Sequence, residues 1–198
     1  MSLRFSYTLL APFYDGLVGP ALGAARRASL AALPRSAPQR VLINGVGSGL
    51  DLPLLPALHR YVGLDLTRAM LARSTQRRNG LDYNAVRGDS LALPFATASF
   101  DSVILHLILA VVPDAARALA ESARVLRPSG HILILDKFIP AGTRAPLRRW
   151  LSPLASRIAT RLDVVFEDAL SRVAGLRVVS DEAAALGGWF RRILLVKT

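Results

Sequence analysis

The chain alternates blocks of apolar residues with blocks of mixed polarity, and these blocks predict strands and helices in turn. Continuous apolar runs, as expected for strands covered on both faces of a parallel sheet, occupy 40–45, 61–65, 83–89, 100–109 and 131–138. A helix is predicted over 113–126, and a short or irregular helix over 49–58, which contains two prolines. This alternation predicts an α/β fold: a doubly wound, Rossmann-like sheet with helices on both faces.

The pattern changes after residue 138, where a basic amphipathic segment interrupts the alternation. Leucine and isoleucine recur at helical spacing from Leu147 to Leu162, and no acidic residue occurs from 144 to 161. The arginines that surround this apolar stripe are Arg144, Arg148, Arg149, Arg157 and Arg161. Such a helix can lie in an anionic membrane interface or cover a binding site as a lid.

A single domain is predicted, because 198 residues can build one core and no repeat divides them. Its predicted parts are an N-terminal helical cap (1–38), a core (39–138), a basic insert or lid (139–165) and a C-terminal part (166–198). The C-terminal part is predicted to hold a helix that ends at Gly175, followed by two strands.

Composition restricts the partners more than the fold. No cysteine occurs, which excludes disulfides and thiolate metal sites, and with three histidines far apart in the sequence no metal site is predicted. The net charge of +11, carried almost entirely by arginine, suits phosphate groups in lipid headgroups or nucleic acid. We expect a cytoplasmic protein in peripheral contact with the inner membrane, with nucleic acid the less expected partner; the oligomeric state stays open.

Three strand ends carry residues typical of a nucleotide-like site. Gly45, Gly47 and Gly49 follow the first predicted strand, where missing side chains let the backbone approach a ligand. Asp65 ends the second strand and Asp89 ends the third, and an acid after the second strand can accept the hydroxyls of a ribose. Because the carboxyl ends of parallel strands meet at one edge, we expect these residues to face a single ligand.

Together these segments resemble the class I S-adenosylmethionine-dependent methyltransferases with a type 11 domain. The matching segments are VLINGVGSG, YVGLD, VRGDSLALPF, ASFDSVILHLILAVVPD and ARVLRPSGHILI, which cover about 39–138. The resemblance implies S-adenosylmethionine as cofactor and a seven-stranded, mostly parallel sheet with an antiparallel last strand. It also implies a set of cofactor-binding residues: Asn44, Gly45, Gly47, Gly49, Asp65, Leu66, Asp89, Ser90, Leu91 and His106.

One position departs from the pattern of that family. Class I enzymes usually carry Glu or Asp where this chain has Ile43, and that acid helps to hold the amino group of the cofactor. Asn44 offers a neutral acceptor, but neighbouring strand residues point to opposite faces of a sheet. Losing a charge-assisted hydrogen bond costs about 1.5–3 kcal/mol. The sequence therefore leaves two alternatives: the loop binds S-adenosylmethionine, more weakly than usual, or the fold has lost its activity.

The two ends of the chain are similar to a narrower group, the small bacterial phosphatidylethanolamine N-methyltransferases. The opening SYTLLAPFYDGLVGPALGAARR and the basic insert carry this resemblance. It implies that Tyr7 and Tyr14 close over the cofactor as catalytic residues. His106, at the end of the fourth strand, is the best-placed titratable group for a base, and Asp136 and Lys137 end the fifth strand.

Three functions follow as hypotheses. The first is N-methylation of phosphatidylethanolamine at a membrane surface, which the arginine-rich insert favours. The second is methylation of a soluble or quinone-like small molecule at the same site. The third is a non-catalytic, basic module that binds nucleic acid, against which stand the scattered arginines and the 7% of aromatic residues.

Overall fold

The computed structural model describes residues 22–139 and 164–198. Within them a single sheet has the strands β1 (Arg40–Asn44), β2 (Arg60–Asp65), β3 (Asp82–Arg87), β4 (Phe100–His106), β5 (Leu126–Lys137), β6 (Leu176–Ala185) and β7 (Phe190–Lys197). The helices are α1 (22–30), α2 (Arg68–Gln76), α3 (Ala115–Val125) and α4 (Phe166–Leu170), with short 3-10 turns at Leu52–Leu54 and Leu186–Gly188. None of the helices in these two ranges is both long and apolar enough to cross a membrane.

The strand order is β3-β2-β1-β4-β5-β7-β6. Strands β1 to β5 pair in parallel, whereas β7 lies antiparallel to both β5 and β6. The predicted doubly wound, seven-stranded sheet with an antiparallel last strand is therefore confirmed. All parallel strands end at one edge, and the order reverses direction between β1 and β4, where such sheets bind ligands.

The two faces of the sheet bury separate clusters, which explains the continuous apolar runs of the sequence. On one face, Leu42 and Leu105 pack with residues of α3 and α4 such as Leu119 and Phe166. On the other face, Ile43 and Ile104 pack with the α1 side of the molecule and with α2. Alternate strand residues thus enter different cores, as the two-residue period of a strand requires.

Several element ends differ from the sequence-based prediction. Strand β4 ends at His106 rather than at residue 109, because Leu107 adopts a positive φ of 57°. Strand β3 ends at Arg87, which leaves Asp89 in the following turn. Helix α4 ends at Leu170 and not at 175, because Val173 bonds back to Leu170 in a tighter turn. Strand β5 begins at Leu126 rather than at residue 131, and it contains a bulge over 127–130, since Phe100 pairs with Leu126 and Ser102 with His131.

Candidate functional site

The glycine loop is fixed from both sides, and one position in it stays open. Gly45 and Val46 both donate from the backbone N–H to the carbonyl of Leu64, each at 2.9 Å. A Cβ on Gly45 would lie 2.7 Å from the Ile108 side chain. At Gly47, by contrast, φ is +55° and a Cβ would meet no atom of residues 22–139 and 164–198 within 4 Å. The loop therefore leaves open space at Gly47 for a ligand to approach the backbone.

An arginine that no sequence motif singles out also holds this loop. The Nη1 of Arg77, just after α2, donates to the carbonyl oxygen of Ser48 at 3.0 Å and to its Oγ at 2.8 Å. Ser48 itself is buried. The loop conformation thus depends on α2 as well as on the glycines, and no motif in the sequence links Arg77 with Ser48.

Asp65 lies beside the open glycine. Its Oδ2 accepts the backbone N–H of Gly47 at 3.1 Å, and its Oδ1 accepts the N–H and the hydroxyl of Thr67 at 2.9 Å and 3.1 Å. Burial raises the pKa of Asp65, although these hydrogen bonds oppose the shift. The carboxylate is thus oriented by its neighbours, as a group that accepts ribose hydroxyls needs to be. Leu66, which follows it, keeps 42% of its surface exposed.

The turn after β3 places the next predicted group. Asp89 is exposed, and its Oδ1 accepts the backbone N–H of Leu91 at 2.9 Å. Leu91 is partly buried against the α3-side core, and Ser90 is buried. Arg87 donates from Nε to the carbonyl of Leu66 at 3.1 Å, which ties this turn to the end of β2. The exposed Leu66 thus follows Asp65 directly, and the half-buried Leu91 lies two residues after Asp89.

The neighbours Ile43 and Asn44 point to opposite faces of the sheet, as the sequence indicated. Ile43 is buried in the α1-side core. Asn44 is also fully buried, and its Nδ2 donates to Oγ of Ser122 on α3 at 3.2 Å, while no described residue donates a hydrogen bond to its Oδ1. The structure therefore directs Asn44 towards α3, away from the face that Ile43 shares with α1. A contact of its side chain with the cofactor stays a prediction.

His106 belongs to a buried polar network on the Ile43 face. Its Nδ1 lies 3.1 Å from Oδ1 of Asp51, and its Nε2 lies 2.9 Å from Oγ of Ser29 on α1. Arg26, also on α1, donates from Nη1 to Asp51 Oδ1 at 2.6 Å. Burial by itself raises the pKa of Asp51, but its interactions with His106 and Arg26 outweigh burial and hold that pKa well below its ordinary value.

An ionised Asp51 accepts, so His106 Nδ1 carries the proton that it shares with Asp51. Both ring nitrogens thus have protein partners, and the side chain is 1% exposed. The geometry gives His106 a positioning contact, and its role as a base stays a prediction. Of the four residues in this network, only His106 was a candidate on the basis of the sequence. Asp51 lies two residues past the glycines, but no spacing rule pairs it with Arg26.

The buried carboxylate of Asp136 holds the loop that follows β4 through a hydrogen bond. Its Oδ2 accepts the backbone N–H of Ala110 at 3.1 Å, and its Oδ1 accepts that of Lys137 at 2.8 Å. Burial raises the pKa of Asp136 to about 6 and lowers the pKa of the neighbouring Lys137 amine. The buried carboxylate therefore positions the loop that carries Ile108 next to the glycines.

The site thus unites the glycine loop with Asp65, and it places Leu66 and the Asp89 turn at the same edge of the sheet. Open space at Gly47 beside an oriented carboxylate fits an adenosyl group, whose ribose presents two hydroxyls. The residues present therefore fit S-adenosylmethionine. Tyr7, Tyr14 and the five arginines of the insert lie outside the described residues.

Comparison with known proteins gives the same class. A family described as a methyltransferase domain matches residues 42–134. Phosphatidylethanolamine N-methyltransferase of Cereibacter sphaeroides is 33% identical over 158 residues, which cover 76% of this chain and 76% of that protein. Demethylmenaquinone methyltransferase of Beutenbergia cavernae is 33% identical over 144 residues, covering 68% of this chain but 58% of the relative.

Among solved structures, a S-adenosylmethionine-dependent methyltransferase from Thermotoga maritima matches with a TM-score of 0.74. The match covers all of both chains at 19% sequence identity. At this identity the similarity concerns the fold, and the two curated relatives carry the information about chemistry.

Proposed function

Since this chain belongs to the class I S-adenosylmethionine-dependent methyltransferases, we propose that it methylates the amine of phosphatidylethanolamine-type headgroups at a membrane surface. S-adenosylmethionine is its methyl donor. The observation that carries the proposal is the extent of the first match. It runs over 158 residues and 76% of the chain, well beyond the shared cofactor core.

Methyl transfer requires little acid–base or nucleophilic chemistry from the protein's side chains. When bound, S-adenosylmethionine supplies a methyl group already activated by its positively charged sulfur, so the protein mainly aligns the reactants. The glycine loop and Asp65 would hold its adenosyl part, and Asp136 holds the loop after β4 against the glycines. The attacking amine must lose one proton, and water or the headgroup phosphate takes it in this proposal.

Charge supports a lipid acceptor. The net charge is +11, and the five insert arginines lie on a segment without acids. Each basic residue near an anionic surface contributes about 1 kcal/mol to membrane binding. An enzyme that is held at the surface in this way meets its acceptor in two dimensions, and it needs no deep pocket for acyl chains.

A methyl-transfer assay tests the acceptor directly. The protein is incubated with methyl-labelled S-adenosylmethionine and vesicles that contain phosphatidylethanolamine with anionic lipid, and the lipids are then separated. We expect label in mono- and dimethylated phosphatidylethanolamine. Vesicles in which phosphatidylcholine replaces phosphatidylethanolamine serve as the control. Label that never enters the lipid, with a protein that still binds the cofactor, contradicts this acceptor.

A quinone acceptor is the alternative, and one observation favours it. The Beutenbergia cavernae relative, which covers 68% of this chain, is a demethylmenaquinone methyltransferase. A second arm of the assay therefore carries demethylmenaquinone in phosphatidylcholine vesicles. Label in the quinone alone selects the alternative, and label in phosphatidylethanolamine alone selects the main proposal.

The membrane contact has its own test. Replacing Arg148 and Arg149 by Gln removes two charges from the insert and should weaken binding to anionic vesicles by about 2 kcal/mol, roughly thirtyfold. The matched control removes the exposed Arg78 and Arg177, which lie outside the insert. Cosedimentation with vesicles measures both variants. Equal losses in the two variants would mean that net charge, and not the insert, attracts the protein to the membrane.

A further inference from the structure

The face of the sheet that usually carries the cofactor acid has a carboxylate here, although residue 43 is apolar. Ile43 pairs with Ile104 in the parallel register, and both enter the α1-side core. His106 follows Ile104 by two residues, so it lies on the same face at the carboxyl end of β4. Because Asp51 contacts His106 at 3.1 Å, its carboxylate stands at the end of β4, on the face that Ile43 shares.

This carboxylate is charged and has a free oxygen. Arg26 and His106 both contact Oδ1 of Asp51. Within the described part of the chain no hydrogen bond or ion pair engages Oδ2. A buried carboxylate kept ionised in this way can accept a hydrogen bond from a cation without first losing a proton.

Arg26 adds an unmet donor to the same place. The residue is only 7% exposed, and its Nη1 binds Asp51, but its buried Nε has no hydrogen-bond partner among the residues that the structure describes. Buried donors are rarely left without an acceptor, because the loss of their hydrogen bond to water is then not compensated. A ligand that brings an anion to Arg26 and a cation to Asp51 would satisfy both groups. An α-amino acid has both charges on one carbon atom.

We propose that Arg26 and Asp51 form the subsite for the amino-acid end of S-adenosylmethionine, with Asp51 binding the α-ammonium in place of the acid missing at Ile43 and Arg26 binding the α-carboxylate. Because Arg26 and Ser29 both lie on α1, the same contacts join the helical cap to the sheet edge. The subsite depends only on the cofactor, so it holds whichever acceptor is methylated.

Binding of two nucleosides tests the subsite without any methyl transfer. S-adenosylhomocysteine carries the amino-acid end, and 5′-methylthioadenosine lacks it. By calorimetry the wild-type protein should bind the first at least about tenfold more tightly. In Asp51→Asn the affinity for S-adenosylhomocysteine should fall about ten- to a hundredfold, whereas that for 5′-methylthioadenosine should stay within about twofold.

The matched control is Asp101→Asn, at the opposite end of the sheet. Asp101 also pairs with an arginine, Arg127 at 2.5 Å, and accepts the backbone N–H of Arg40. It should leave the ratio of the two affinities unchanged. An equal loss for both nucleosides in Asp51→Asn would assign Asp51 a purely structural role and overturn the proposal.

Asp51→Asn leaves Arg26 as an unpaired buried charge, so Arg26→Gln/Asp51→Asn takes its place if the single variant does not fold. The double variant should lose the same preference, and its persistence overturns the proposal. Equal affinities of the wild-type protein for both nucleosides would also overturn the proposed subsite, but they would leave the adenosyl site supported. A wild-type protein that binds neither nucleoside would overturn the cofactor site itself. A missing lipid product would leave the subsite unaffected.

Discussion

Replacing Gly47 by Ala separates cofactor binding from folding. Gly47 has a φ of +55°, and no atom in the described part of the chain lies where a Cβ would stand. Gly80, an exposed glycine between α2 and β3, has a φ of +77° and equally open space. Gly47→Ala and Gly80→Ala should therefore cost the unliganded protein a similar 1–2 kcal/mol, roughly, from left-handed backbone strain. For a chain of this size that lowers the Tm by about 2–8 °C.

The two variants should differ once a ligand is added. A Cβ forced into a filled contact costs about 1–3 kcal/mol, which at its upper end weakens binding roughly a hundredfold. At a concentration of about 100 Kd, S-adenosylhomocysteine stabilises the wild-type protein by about 2.7 kcal/mol. At the same concentration Gly47→Ala would gain roughly 0.4 kcal/mol.

Thermal unfolding with and without S-adenosylhomocysteine measures this difference. Wild type and Gly80→Ala should gain about 5–11 °C in Tm, and Gly47→Ala about 1 °C. Calorimetric titration of the same three proteins gives the affinities. If Gly47→Ala gained as much stability as Gly80→Ala, the open space at Gly47 would not be where the cofactor lies.

Three further predictions concern the groups around the site. Burial raises the pKa of Asp136 from 3.8 to about 6, so the folded state keeps a proton that the unfolded state has lost. The free energy of unfolding of the wild type, relative to that of Asp136→Asn, should therefore fall by roughly 3 kcal/mol as the pH rises from about 4 to about 7. Urea unfolding of both proteins over this pH range measures the difference. A difference that does not change with pH would refute the prediction. Arg77→Gln should weaken S-adenosylhomocysteine binding by about 1–3 kcal/mol because the Ser48 contacts are lost, whereas the adjacent Arg78→Gln should not change the calorimetric affinity. Ile43→Glu should destabilise the fold by about 3–5 kcal/mol, since it buries an unpaired charge in the α1-side core, and Ile43→Val by about 1 kcal/mol; similar Tm values for both would show that residue 43 has access to water.

The sheet, and the position of the glycine loop and Asp65 at its carboxyl edge, could be predicted because they depend on local patterns. Five apolar runs predicted the strands β1 to β5. The glycines and acids at the ends of the first three runs predicted the glycine loop, Asp65 and Asp89 as residues of one site. The ends of elements were less predictable. Strand β4 stops where Leu107 adopts a left-handed backbone, a conformation that no leucine signals in a sequence.

The polar network was invisible in the sequence for a different reason. Arg26, Ser29, Asp51 and His106 come from three segments that only the folded chain brings together. Their contacts span 25 to 77 positions, so neither periodicity nor motif spacing relates them. Arg77 and Ser48 meet in the same way, across 29 positions. Because arginine is so common in this chain, its composition does not distinguish Arg26 or Arg77 from the other arginines.

Hydrogen exchange with and without S-adenosylhomocysteine tests the central claim, that consecutive strand ends hold one cofactor molecule, most directly. We expect slower exchange in three short segments at the carboxyl edge: the glycine loop at 45–49, the end of β2 at 65–67 and the turn at 89–91. The antiparallel strands β6 and β7 serve as the internal reference and should exchange unchanged. Protection confined to β6 and β7, or unaltered exchange in the three segments at saturating ligand, would contradict the claim.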